Sequence, residues 1–383
     1  MKVIMDFRKY DGVIGGVEQG VIQISKYYAS HDLQVILLCK EKMLDKVKTI
    51  FEGVDNFKII PLPVDTHIVT KENIHLDSVV IQDIAEKEGA DVIHFFYNWS
   101  FPYRKKVPCV LTVHDVIPFT FREAQGFFYN LFKYKPSIRR ACNLNDTIGT
   151  VSEYSKQDIS KKVGIPLEKI HVIFNGLREP NPPDKDVEKE LRKKYGLDDR
   201  FILDVGGIHE RKNIVSLIHA FSGLVNKSGY SGKLVITGKV TGAPYQEKMK
   251  RRCDKAVKYT GLAEKVIFTN FISERELDSL FRMTDFLIYP SLYEGFGIPI
   301  LEAMKLGTPV ITSNISAMPE VAGDAALLVD PYKVEDMTSA MDRLIKDKNL
   351  KDELRQKGIK QAELFTWERA AKSYIELYQK ISR

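Results

Sequence analysis

Two short segments hold side chains whose types and spacing suit one kind of chemistry. In Val205-Gly206-Gly207-Ile208-His209-Glu210-Arg211-Lys212-Asn213, an apolar run ends at paired glycines and two adjacent cations follow. The glycines allow a sharp backbone turn, and a helical pattern begins near Asn213. Arg211 and Lys212 therefore fall at a helix N-terminus, where free amides and the helix dipole favour an anion. Arginine offers a planar fork and lysine a mobile point charge, a pair suited to clamping a diphosphate. The second segment runs from Tyr289 to Glu302 and places seven residues between Glu294 and Glu302, among them Gly295, Phe296, Gly297, Ile298 and Pro299. Pro299 is placed as the first helical residue, which puts Glu302 inside the helix and Glu294 on its approach, near the amides of Gly295 to Ile298. Carboxylates accept hydrogen bonds from sugar hydroxyls, and exposed amides at a helix start hold phosphate.

The first half of the chain adds two further candidates. Gly15-Gly16 opens the first helix after the first strand's loop, and suits close approach of a phosphate or sugar to the backbone; a plain flexible loop is the alternative. A dinucleotide fingerprint fails here, because Val17 stands where GxGxxG needs its middle glycine, although Glu41 lies at a suitable distance beyond the second strand. His114, with Asp115, directly follows the apolar run Cys109–Val113 and faces the ligand side of a parallel sheet by the strand-end rule. Other chemistries are excluded by motif. There is no GxxxxGK[ST] loop, no HExxH, no clustered Cys/His set and no GxSxG elbow. Asp184-Lys185-Asp186 matches a metal-binding DxD by chance, inside a proline-rich linker, so no metal is expected.

The elements that must position these residues alternate along the chain. Apolar runs at Val3–Phe7, Gln34–Cys39, Phe57–Pro61, Val92–Phe96, Cys109–Val113, Asn145–Thr150 and His171–Asn175 read as strands, mostly separated by helix-compatible segments. A linker over Leu177–Asp186 contains Pro180, Pro182 and Pro183, which neither a helix nor a central strand tolerates. The pattern then restarts with strands at Phe201–Gly206, Lys233–Thr237, Val266–Phe271, Phe286–Pro290, Pro309–Ser313 and Ala325–Val329. Helices are predicted over Val17–Tyr28, Asn213–Val225, from a Ser273/Glu276 capping box, over Val334–Asp347 and Asn349–Phe365, and from Trp367 to the end. This is an α/β chain of two doubly wound, Rossmann-like domains, 1–178 and 185–366, expected to face each other across a cleft.

Composition fits that picture. The 383 residues carry 57 basic and 51 acidic side chains, a net charge of +6, and 44% hydrophobic residues. Neither half is basic enough for a nucleic-acid partner. No apolar run reaches the length of a spanning helix. The first strand begins at once, leaving no room for a secretory signal, and the four cysteines form no CxxC pair. A cytoplasmic protein with reduced thiols is expected. Arg104-Lys105-Lys106 and Arg139-Arg140 leave open a peripheral contact with anionic lipid at the inner membrane face, against the alternative of solvated loops.

Taken together, the segments resemble the retaining glycosyltransferases of family 4, of the GT-B fold. The resemblance rests on Gly206-Gly207 with Arg211-Lys212-Asn213, on Glu294-Gly-Phe-Gly-x-Pro-x-x-x-Glu302 and, more weakly, on Gly15-Gly16, Thr112-Val113-His114-Asp115, Val151-Ser152-Glu153 and Asn175-Gly176. It implies that Arg211 and Lys212 bind the donor's diphosphate and stabilise it as it leaves. Glu302 would hold the ribose hydroxyls, and Glu294, with the amides around Phe296 and Gly297, the transferred sugar. Gly16 would approach the donor phosphate and His114 the sugar. Many members carry arginine where this chain has Gly207, so Arg211 takes over that charge. The resemblance further implies a nucleotide-sugar donor, a glycan or lipid-linked acceptor, no cofactor, and a C-terminal helix, 367–383, packed back on the first domain. The His114-Asp115-Val116-Ile117-Pro118 run is similar to mannosyl- and rhamnosyltransferases, which favours GDP-mannose over UDP- or dTDP-sugars. An epimerase or phosphorylase on the same fold, or a two-domain sugar-binding protein, are the competing readings.

Overall fold

The structure, a computed structural model, describes residues 1–31, 33–64, 70–121, 130–197, 200–238, 240 and 242–382. They fall into two compact units. The described residues of Met1–Thr120, Gly126–Arg178 and Phe365–Arg383 form one, and those of Phe121–Gln125 and Glu179–Leu364 the other.

The first unit is built on β1 (Lys2–Asp6), β2 (Gln34–Lys40), β3 (Phe57–Leu62), β4 (Val92–Phe95), β5 (Cys109–Thr112), β6 (Thr147–Thr150) and β7 (Ile170–Val172), in the order β3-β2-β1-β4-β5-β6-β7. All of its pairings are parallel. The second unit holds β8 (Phe201–Val205), β9 (Lys233–Thr237), β10 (Val266–Phe268), β11 (Leu287–Tyr289), β12 (Val310–Ser313) and β13 (Ala326–Val329), in the order β10-β9-β8-β11-β12-β13, again parallel throughout. Every predicted strand is present, with edges moved by at most three residues; β10 stops at Phe268, two residues before the left-handed Asn270. Both sheets are the doubly wound type the alternation predicts.

Strand order reverses between β1 and β4 in one sheet and between β8 and β11 in the other. At such a switch point the following loops part in opposite directions and leave a crevice beyond the carboxyl ends of the strands. Gly15-Gly16 follows β1, the Arg211-Lys212 turn follows β8, and Glu294 follows β11.

The final helix, Trp367–Ile381, belongs to the first unit; residue 383, its expected end, lies outside the described residues. Ala370, Ala371, Tyr374, Leu377 and Tyr378 join Val21, Ile24 and Tyr28 of the first helix, Gly16–Ala29, in one apolar core. Hydroxyl groups are satisfied inside it: Tyr374 bonds Thr112 at 2.8 Å, and Thr112 bonds the buried His94 at 2.7 Å. Burying those polar groups without such partners would be costly.

Two local expectations are corrected. The linker ends earlier than Asp186, because a helix over Lys185–Tyr195 has already begun, and Asp184 caps it by accepting from the amides of Asp186 and Val187. That capping accounts for the first carboxylate of the DxD match. Pro299 is the second helical residue rather than the first, since the helix runs over Ile298–Lys305 behind Gly297. The Ser273–Glu276 capping box forms as expected, with Glu276 accepting from the Ser273 amide at 2.8 Å.

Candidate active site

The site in the second unit is assembled by two loops that leave neighbouring strands. After β8, Gly206 and Gly207 adopt φ of +138° and +56°, angles that disfavour any residue with a side chain. A β-carbon on Gly206 would lie 2.5 Å from Lys212 Nζ, so the bare glycine is what lets the lysine fold back over the strand end. Arg211 and Lys212 occupy a short 3-10 turn, Glu210–Lys212, and the left-handed Asn213 separates them from the helix Ile214–Ser228. They sit immediately before that helix, where the sequence places them.

After β11, the second loop brings Glu294 against both cations. Arg211 Nη1 lies 2.5 Å and Lys212 Nζ 2.8 Å from the same carboxylate oxygen, Oε1. Lys212 also donates to the Tyr289 hydroxyl. The lysine is 5% exposed and the glutamate 8%, which excludes a solvated basic pair. The loops are tied at the backbone too, with the Leu292 amide donating to the Arg211 carbonyl at 2.6 Å.

Burial and charge pull against each other here. Desolvation pushes the Lys212 ammonium below its ordinary value, against the opposing attraction of Glu294. Burial alone would raise the Glu294 carboxyl, but Lys212 and Arg211 together hold it below the usual carboxylate range. The outcome is a buried carboxylate between two cations, two positive charges against one.

The remaining expected residues of this unit sit around that cluster. Gly207 lies in the strand-end turn, Gly295, Phe296 and Gly297 are buried in the Glu294 loop, and Ile298 starts the helix. Gly297 precedes it at φ +115°. Glu302 is half-buried on the same helix.

In the first unit, Gly15 and Gly16 are exposed at the start of the first helix, where the Gly15 amide donates to Glu18 at 3.1 Å. His114 follows β5 and its Nε2 is 3.1 Å from the Phe96 carbonyl. Burial lowers its pKa to about 4, so it is a neutral imidazole near neutral pH. Gly16 and His114 line one small recess together with Phe96, Phe174, Asn175 and Trp367. Asp115 is used locally, accepting from the Ile117 amide at 2.9 Å.

Comparison with known proteins bears on the family and the fold. A family model described as Glycosyl transferases group 1 matches residues 187–361, and another, Glycosyltransferase Family 4, matches residues 14–178. The chain belongs to the glycosyltransferases of the GT-B fold. It is similar to the serotype-specific mannosyltransferase WbdA of Escherichia coli, 29% identical over 300 residues that cover 76% of the chain and 36% of WbdA. The transferase thus spans little more than a third of that relative's length. The O-antigen chain mannosyltransferase B of Escherichia coli is 27% identical over 300 residues, covering 77% of the chain and 76% of that protein. Among solved structures, a glycosyltransferase from Rickettsia africae ESF-5 superposes with a TM-score of 0.75 at 18% identity, over 99% of this chain and 98% of that one.

Two serines that sequence patterns do not single out brace the Glu294 loop. Ser316, at φ +61°, grips the backbone of Glu294 twice, its hydroxyl accepting from the amide at 3.0 Å and donating to the carbonyl at 2.8 Å. Ser313 Oγ donates to the Ser291 carbonyl at 2.7 Å in the same way. Both serines come from the end of β12 and the loop beyond it, so a third strand end braces the glutamate loop. The basic run of the transferase at 104–106 is less available than its sequence suggests. Lys105 pairs with Asp146 at 2.5 Å, and Lys106 with Asp83 at 2.7 Å and Glu86 at 2.6 Å. Among the described residues, no helix is long and apolar enough to cross a membrane.

Proposed function

We propose that the transferase moves a hexose from a nucleoside-diphosphate sugar to a glycan or lipid-linked acceptor, with retention at the anomeric carbon and without a metal or cofactor. The observation that carries this reading is the buried Arg211–Lys212–Glu294 cluster beyond the β8–β11 switch point. Two fixed cations there suit a diphosphate leaving group, and preorganised charge in a dry site stabilises the developing negative charge without reorganising. Glu294 and Glu302 take the sugar and ribose hydroxyls as acceptors. In the first unit, Gly16 is the candidate for the phosphate and His114, neutral, for the sugar. The C1–O bond breaks with its electron pair going to the diphosphate. The acceptor hydroxyl oxygen bonds to C1 on the same face, and its proton passes to the departing phosphate oxygen.

GDP-mannose is the donor favoured, because relatives covering three quarters of the chain are named as mannosyltransferases. UDP- and dTDP-sugars form the second choice. The balanced salt bridges at Lys105 and Lys106 leave only a weak basis for contact with anionic lipid, through Arg104, Arg139 and Arg140.

The test is a screen of nucleotide sugars for hydrolysis and transfer in chelator-treated buffer, followed by proton NMR of the product anomer. Release of GDP from GDP-mannose with an α-linked product supports the reading. Turnover that disappears with chelator and returns with a divalent cation would overturn the metal-free part, and an inverted product the retaining part.

A further inference from the structure

Asp204 is the penultimate residue of β8 and only 2% exposed, and its Oδ2 has no hydrogen-bond partner. A buried carboxyl with an unsatisfied oxygen is costly unless it serves a purpose or carries a proton. Its place is specific. Two residues further on, Gly206 lies directly beneath the Lys212 ammonium, so Asp204 stands under the lysine that the diphosphate is to meet. Resting on the function proposed above, we propose that Asp204 is a positioning residue of the donor site, a carboxyl that takes up a proton when a nucleoside-diphosphate sugar occupies Lys212 and releases it when the site empties.

The groups that face Asp204 support this exchange. Lys212 from the strand-end turn and Glu294 from the loop after β11 are the charged neighbours. Tyr289 on β11 and Cys253 on the helix Pro244–Thr260 are the other titratable ones, both pushed upward by burial and therefore neutral near pH 7. Burial raises Asp204 itself to about 7, with Lys212 opposing and Glu294 reinforcing. An arriving diphosphate adds negative charge and draws the lysine's attraction onto itself, so the carboxyl then holds its proton more firmly. The balance is simple: the ionised carboxyl, one solvent proton and the donor give the protonated carboxyl with donor bound. No redox partner is needed.

The experiment is calorimetric titration of the whole chain with GDP-mannose and with UDP-glucose, in HEPES and in Tris, whose different ionisation heats count the protons exchanged. Both probes carry only phosphodiester groups that do not titrate near neutrality, so any proton exchange belongs to the protein. Wild type is expected to take up a fraction of a proton near pH 7, and its donor affinity to fall by up to about tenfold per pH unit above that. Asp204→Asn, a neutral isostere, is expected to bind with unchanged or tighter affinity and a flat profile across the same range. Uptake by Lys212 would survive the substitution and so cannot imitate the result. Equal uptake in both proteins, or none in wild type, overturns the role of Asp204 alone. Should that variant fail to fold, Asp204→Ser, equally neutral, takes its place with the same flat profile expected and the same outcomes deciding. If neither probe binds at any pH, the reading of function beneath it falls first, and this inference with it.

Discussion

The Lys212 ammonium lies 2.8 Å from Glu294 Oε1, the same oxygen that Arg211 reaches at 2.5 Å. The carboxylate therefore occupies the place at the cations that a donor phosphate is proposed to take. On that proposal, donor binding would exchange one anion for another and free Glu294 for the sugar.

Lys212→Ala removes the most buried cation of the site. Turnover is expected to fall by about 10²–10³-fold, or about 2.7–4 kcal/mol of barrier, the range for deleting one preorganised donor. Steady-state kinetics at saturating donor measure it, with a melting curve to confirm folding. Undiminished turnover would count against a role in departure of the diphosphate.

Glu294→Gln separates two functions of one side chain. Loss of the carboxylate leaves Lys212 and Arg211 without their counter-ion, so the ligand-free fold should lose about 3–5 kcal/mol. Nucleoside diphosphate alone is expected to bind at least as tightly as to wild type, while turnover collapses because the sugar has lost its acceptor. Weaker diphosphate binding together with normal turnover would reverse this assignment.

Gly206→Ala tests whether an open strand end seats the lysine. A β-carbon there meets Lys212 Nζ at 2.5 Å, and φ of +138° is itself strained for alanine. A loss of roughly 1–3 kcal/mol in stability and a turnover close to that of Lys212→Ala are expected from denaturant melts and kinetics. A variant with wild-type rates would show that the lysine has another seat.

His114 sets a pH dependence of stability. Its folded value is depressed to about 4 against about 6.5 unfolded, so between those values the unfolded chain binds the extra proton. Stability in the first unit should therefore fall as pH drops from about 6.5 towards about 4, then level off. Glu294 works lower on the scale. Its depressed carboxyl stabilises above the ordinary glutamate value, and that stabilisation is lost as pH falls through its folded value. Urea midpoints of wild type and His114→Gln across this range test the first part, and the variant should show the shallower slope. His94, also lowered well below its ordinary value by burial, contributes to the slope that remains.

Much of the fold and of the site is legible in the amino-acid order itself. Each strand announces itself as an apolar run between turn residues, and the strand-end rule then picks out Arg211, Lys212, Glu294, Gly16 and His114 as ligand-facing. What stays hidden there depends on contacts between distant segments. The pairing of Arg211 with Glu294 spans 83 positions and needs the β8–β11 neighbour relation, which local periodicity does not encode. Ser316 is one serine among several, and its grip on Glu294 follows from a left-handed backbone angle. Asp204 reads as one polar residue in an apolar strand, with no sign that the lysine folds back above it. The helix cap at Asp184 is legible in principle, since aspartate commonly precedes a first turn; the neighbouring prolines mask it.

The most direct measurement is a crystal structure of the transferase with GDP-mannose or, failing occupancy, UDP-glucose. The expected result has diphosphate oxygens within hydrogen-bonding distance of Lys212 Nζ and the Arg211 guanidinium, with Glu294 turned away from both cations to a sugar hydroxyl and Glu302 on the ribose. A donor bound elsewhere, with the Arg211–Lys212–Glu294 cluster still closed on itself, would contradict the proposal at its root.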